Sequence, residues 1–205
     1  MKFADLNNLY KGETIYIIGT GPSLDNFDMD RVDGIQIAIH RAIGIVDMRR
    51  NDTFWQVLDD AWSMDVPGPW GEWLSRIKSD GFGLFRDPLM KPAKPWTPIP
   101  DHPNIIGFKS SKGSVDCLHY SRDRLAESGN LFTYCGSGCT AVHAAWYMGA
   151  EKIIMVGFDA GDGYAKRLRQ WYDKPARGGF GYVMAHIWLK ETIERLKIKD
   201  MVKIL

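Results

Sequence analysis

Two clusters of small residues and a handful of titratable side chains carry whatever chemistry this chain performs. The first cluster is Gly19-Thr20-Gly21-Pro22-Ser23, set directly behind the apolar run Thr14-Ile-Tyr-Ile-Ile18. Two positions without a Cβ let a flat or charged ligand approach the main chain, and a serine beside unpaired N–H groups makes a seat for phosphate. Gly-x-Gly alone suits a plain strand-to-helix turn equally well. The Pro-Ser extension, directly after a strand, favours a nucleotide-phosphate loop. The second cluster, Gly136-Ser137-Gly138, opens the run Cys139-Thr-Ala-Val-His-Ala-Ala-Trp-Tyr-Met-Gly149. Helix N-termini present orphan N–H groups and a partial positive charge, so this is a second ligand seat.

Charged groups fall at the ends of other apolar runs. Ile35 to Ile39 leads into His40-Arg41, Thr53 to Leu58 into Asp59-Asp60, and Lys152 to Gly157 into Phe158-Asp159. Open α/β sheets place ligands at the carboxyl ends of their strands, which puts all five side chains in contention. A lone histidine in such a place is more often satisfied by backbone groups, so Arg41, with its fork of donors, is the preferred phosphate ligand of the first pair. Asp59 and Asp60 suit Mg²⁺, ribose hydroxyls or simple capping, the last being the commonest fate of such pairs. Lys109 to Ser114 reads as a polar loop whose lysines reach a phosphate or lie on plain surface.

These positions need an α/β frame: a Rossmann-like, mostly parallel sheet with helices on both faces, interrupted by an irregular insertion rich in proline and tryptophan. Strands are expected at 14–18, 35–40, 53–58, 83–85, 104–108, 152–157 and 201–205, the sixth being the most apolar and so central. Helices are expected at 70–78, 122–127, from the second cluster to Gly149, and at 183–197 with Met184, Ile187, Trp188 and Ile193 inward. Ala141, Ala144, Ala145 and Met148 are spaced to pack closely on a sheet, and His143 among them reads as a packing residue. Residues 61–103 carry Trp62, Trp70, Trp73 and Trp96 among prolines, which excludes a central strand. Residues 160–182, glycine-rich with Lys166, Arg167, Arg169 and Arg177, read as a lid, although the length alone equally suits a solvated loop.

At 205 residues, 45% hydrophobic and 25% charged, the chain suits a single domain over 1–205. A net charge of +1 gives no global field to recruit nucleic acid. The polar start and the lack of any long apolar run point to a cytoplasmic protein with no membrane segment. Cys117, Cys135 and Cys139 do not form the paired spacing of a zinc site, so free thiols are expected.

Three patches taken in order carry a resemblance: Ile-Gly-Thr-Gly-Pro-Ser-Leu24, Gly-Ser-Gly-Cys139, and Met-Gly-Ala-Glu-Lys-Ile-Ile-Met-Val-Gly-Phe-Asp159. The chain resembles the single-domain bacterial sialyltransferases that use CMP-sialic acid, and equally the group around the 6-hydroxymethylpterin diphosphokinases. Both have a Rossmann-like sheet. The first resemblance implies that Gly19, Thr20, Gly21, Pro22, Ser23, Ser137 and Gly138 hold the nucleotide, that Asp159 contacts ligand, and that His186 is the general base. The pattern departs at His40, where those enzymes carry asparagine, at Tyr134 in place of arginine, and at Thr20 in place of asparagine. The implied function is a nucleotide-sugar glycosyltransferase acting on a small-molecule or glycan acceptor, with no cofactor or metal. The alternatives are a phosphotransferase with Mg²⁺ on Asp59, Asp60 and Asp159, and a non-catalytic nucleotide-binding protein. A homo-oligomer fits any of them.

Overall fold

The computed structural model describes residues 1–46, 53–57, 70–86, 101–111, 121–132, 136–159, 163–171 and 180–205. Eight strands lie within them: β1 (Thr14–Ile18), β2 (Ile35–Ile39), β3 (Thr53–Val57), β4 (Phe82–Arg86), β5 (Ile105–Ser111), β6 (Asn130–Phe132), β7 (Lys152–Val156) and β8 (Val202–Ile204). They form one sheet in the order β6-β5-β4-β3-β2-β1-β7-β8. Every neighbouring pair runs parallel, with Ile15 opposite Ile35 on one side of β1 and opposite Ile153 on the other.

Residue alternation along the strands sorts the apolar side chains into two layers. On β1, Ile15 and Ile17 join one core cluster, whereas Tyr16 and Ile18 join the other. The first layer is covered by α3 (Ser137–Tyr147) and α4 (Phe180–Arg195), which contribute Ala141, Ala144, Ala145, Leu189 and Ile193. Small side chains on α3 let it lie close to the strands. The second layer is covered by α1 (Trp70–Asp80), through Trp73 and Ile77, and by single-turn 3-10 helices. The short α2 (Arg122–Ser128) packs on the N-terminal 3-10 helix Phe3–Leu6. Each fully buried Ile, Leu or Phe stabilises the fold by about 1.5–3 kcal/mol relative to an exposed one. The fold is thus an α/β Rossmann-like sheet with helices on both faces.

Several expectations need correction. The strand beginning at Ile105 continues through Ser111, so Lys109 to Ser111 belong to β5 rather than to a loop. Its last residues find a partner in β6, three residues too short to leave a pattern in the sequence. The apolar β7 is not central: it lies second from the edge, between β1 and the short β8, and its apolarity reflects burial on both faces, Ile153 and Met155 in one layer and Ile154 and Val156 in the other. On α4 the inward stripe is Leu189, Thr192 and Ile193, continued by Leu196 just past the helix end, and Ile187 lies off it at 49% exposed. That helix also begins at Phe180, inside the segment read as a lid. Cys139 is buried and takes part in no disulfide. Asp59, Asp60, Trp62, Trp96, Cys117, Tyr134, Cys135 and Arg177 lie outside the described residues.

Candidate functional site

The sheet order turns back at β1. From β1 the chain steps outward through β2 to β6, then returns to lay β7 on the opposite side. In such sheets the crevice at the reversal, beyond the carboxyl ends of the two strands, takes the ligand. Both small-residue clusters arrive there.

The first corner is shaped by backbone. Gly19 N–H donates to Val156 O at 2.7 Å and Gly21 N–H to Gly157 O at 2.9 Å, so the exits of β1 and β7 stay hydrogen-bonded beyond the strands. A Cβ on Gly19 would collide with Gly157 O, and one on Gly21 with Asp159 Oδ2. Gly157 itself has φ +75°, in the left-handed region that only glycine enters without cost. Pro22 then starts the 3-10 helix Pro22–Asn26. Asp159 Oδ2 accepts from both the N–H and the Oγ–H of Ser23, each at 3.0 Å. The carboxylate at the end of β7 therefore holds the glycine loop in place.

The second corner is shaped by side chains. Gly136, at the N-cap of α3, offers no side-chain acceptor to the first turn. Ser137 Oγ lies 2.9 Å from His40 Nε2. His40 stands just past β2 with φ +49°, an uncommon backbone state for a residue with a side chain, costing about 1 kcal/mol or more. Its carbonyl accepts from Trp55 Nε1 at 2.8 Å, and Trp55 is fully buried on β3. The burial of that indole outweighs the local strain.

Between the corners is a cavity of about 450 Å³. Gly19, Thr20 and Gly21 line one side, Gly136, Ser137, Gly138 and His40 another, and Asp159 sits between them. From α4 come Ala185, His186 and Leu189, on the continuation of that helix's inward stripe. A phosphate-sized group inside would meet helix-start N–H groups, a hydroxyl, two imidazoles and a carboxylate. No described helix is long and apolar enough to cross a membrane.

The structure thus brings together Gly19, Thr20, Gly21, His40, Gly136, Ser137, Gly138, Asp159 and His186. Pro22 and Ser23 stand behind the wall, Ser23 bound to Asp159. Arg41, preferred over His40 on chemical grounds, points elsewhere: it is 8% exposed and does not line the cavity. His40, at φ +49°, opens the 3-10 helix His40–Gly44, whose successive side chains point in different directions, and no sequence pattern announces that turn. Asp59 lies outside the described residues, and among the described residues no cluster of His, Cys, Asp or Glu is arranged to hold a metal. His143 is fully buried and stacks on Trp146 at 5.7 Å, as a packing residue.

Sequence reasoning missed a brace. Asp25 accepts from the N–H groups of Lys166 and Arg167 at 2.7 and 3.2 Å, and Arg167 returns a hydrogen bond to Asp25 O at 2.8 Å. Burial pushes the Asp25 carboxyl up, but the two N–H groups and the Arg167 guanidinium outweigh it and hold the group below its ordinary value. Ala165 N–H donates to Thr20 O at 2.9 Å, while Ala165 and Leu168 are buried. Trp171 packs edge-on against Trp73 and fills the space beside Gly44. Residues 163–171, read as part of a lid, are a strap fixed to the glycine loop.

No family model, curated protein or solved structure matches this chain. The site has to be read from its own chemistry.

Proposed function

We propose that the protein is a nucleotide-sugar-dependent glycosyltransferase with sialyltransferase-like chemistry, passing a sugar from a CMP-type donor to an acceptor hydroxyl. The observation that supports this reading is the meeting of both small-residue corners and His186 on one cavity. A cavity of about 450 Å³ is of the size that takes a nucleotide-sized ligand. The donor phosphate lies beside the glycine loop and across the start of α3, whose N–H groups and Ser137 Oγ–H stabilise the charge that grows on the leaving nucleotide. His186, on the opposite wall, takes the proton of the acceptor hydroxyl as that oxygen attacks the sugar carbon, with inversion. An imidazole suits this task because a ring nitrogen without hydrogen accepts a proton and the ring can release it again. Asp159 acts by holding Ser23 and the loop rather than by exchanging a proton. The cytidine base and the sialic-acid-like sugar follow from the resemblance.

Two measurements test the reading. Replacing His186 with alanine lowers transfer by about 10²-fold or more while CMP affinity stays within a few-fold; undiminished turnover in that variant removes His186 from the mechanism. In thermal shift, CMP without metal stabilises the protein more than ATP with Mg²⁺. The reverse ranking replaces this reading with phosphoryl transfer.

A further inference from the structure

We propose that His40 is a positioning residue that couples phosphate binding to proton uptake, acting through Ser137. The inference rests on the reading above, that this cavity takes the phosphate of a nucleotide. It starts from the 2.9 Å separation of His40 Nε2 and Ser137 Oγ, both of which line the cavity.

A serine hydroxyl has one proton to give. If Nε2 carries no hydrogen, it accepts that proton, and Ser137 turns only lone pairs toward the cavity, an arrangement that repels an anion. If Nε2 carries hydrogen, it donates to Oγ and leaves the hydroxyl proton for a phosphate oxygen. The imidazolium has hydrogen on both ring nitrogens, so it enforces the second arrangement and adds a positive charge one hydroxyl away from the ligand. An anion bound at the start of α3 therefore favours the charged ring, and by linkage the proton favours the anion.

The fold keeps the ring from turning away. His40 is held at φ +49°, its carbonyl is tied to Trp55 Nε1, and the next three residues, Arg41 to Ile43, are buried. Among the described residues, the other titratable or charged groups around it are Asp159 and His186 on the cavity wall, Cys139 on α3, and its neighbour Arg41. The Asp159 carboxylate across the cavity opposes an incoming anion and favours the imidazolium, so protonating His40 offsets that repulsion. When the sugar–phosphate bond breaks, the nucleotide phosphate gains a negative charge, and the same hydrogen bond then strengthens.

The test uses the methyl ester of CMP, a phosphodiester with a single charge that does not titrate near neutrality, and measures Kd against pH. With the wild type, Kd tightens by about tenfold from about pH 8 to about pH 5.5. With His40→Asn the profile is flat to within about twofold, since an amide bonds to Ser137 without titrating. Asparagine also tolerates positive φ, so this variant keeps the loop. His186→Asn retains the wild-type slope. A slope that persists in His40→Asn, or that disappears only in His186→Asn, overturns the inference; so does wild-type binding that ignores pH. If the ester does not bind at any pH, the nucleotide reading itself has failed.

Discussion

At the end of β1 the chain makes room for a ligand by leaving side chains out, whereas at the start of α3 it relies on one hydroxyl and the ring that holds it. The first corner has no adjustable part. Its glycines are pressed against Gly157 O and Asp159, and backbone takes part in every hydrogen bond across it except that from Ser23 Oγ–H to Asp159. The second corner depends on the protonation of His40, and its geometry is secured from behind by Trp55. Backbone crowding fixes where a ligand sits; a titratable pair sets how strongly it is held under given conditions. One cavity can thus be rigid in shape and variable in affinity.

The comparison breaks most severely at Gly19. A methyl group there meets backbone on the neighbouring strand exit, which cannot swing aside, so Gly19→Ala is expected to cost about 2–3 kcal/mol in urea unfolding and to remove measurable CMP binding. A variant of wild-type stability and affinity would mean that the two strand exits are not pressed together.

Asp159→Asn comes next. It puts an amide oxygen where both Ser23 bonds end but removes the charge that strengthens them, so CMP binding should weaken by about tenfold with a stability loss of about 1.5 kcal/mol. If that variant binds normally, the loop is held by backbone alone and the contrast between the corners becomes sharper.

The smallest effect concerns the strap. The folded-state pKa of Asp25 is depressed, so its contribution is present above the ordinary carboxylate pKa, near 4, and is lost as pH falls through the lower folded value. Asp25→Asn should therefore cost about 1 kcal/mol at neutral pH, and its deficit should shrink as pH falls below the ordinary carboxylate range. A deficit independent of pH would show that the carboxylate charge plays no part in fixing residues 163–171.

What the sequence disclosed follows the same division. The glycine loop, the strand that precedes it and the helix start at Ser137 are visible as contiguous residue types, although the groups that crowd Gly19 and Gly21 come from the far end of β7. The pairs that complete the site are not. Ser23 meets Asp159 across 136 positions and His40 meets Ser137 across 97, and both meetings depend on β1 having β2 on one side and β7 on the other. Arg41 was preferred over His40 because its donors suit phosphate, yet the backbone turn at His40 decides which side chain faces the cavity. The outward Ile187 shows the same limit, since a helix of generally apolar composition does not reveal which stripe its neighbours cover.

The strand order also governs when the site comes into being during synthesis. Ser23 emerges from the ribosome 136 residues ahead of the aspartate it binds, and until β7 arrives one edge of β1 has no partner. Parallel pairings of this reach form slowly, and an open apolar edge invites other chains to add to it. The nascent protein is therefore most prone to self-association just before β7 is made, and a ligand cannot rescue it, because the cradle that would hold one does not yet exist.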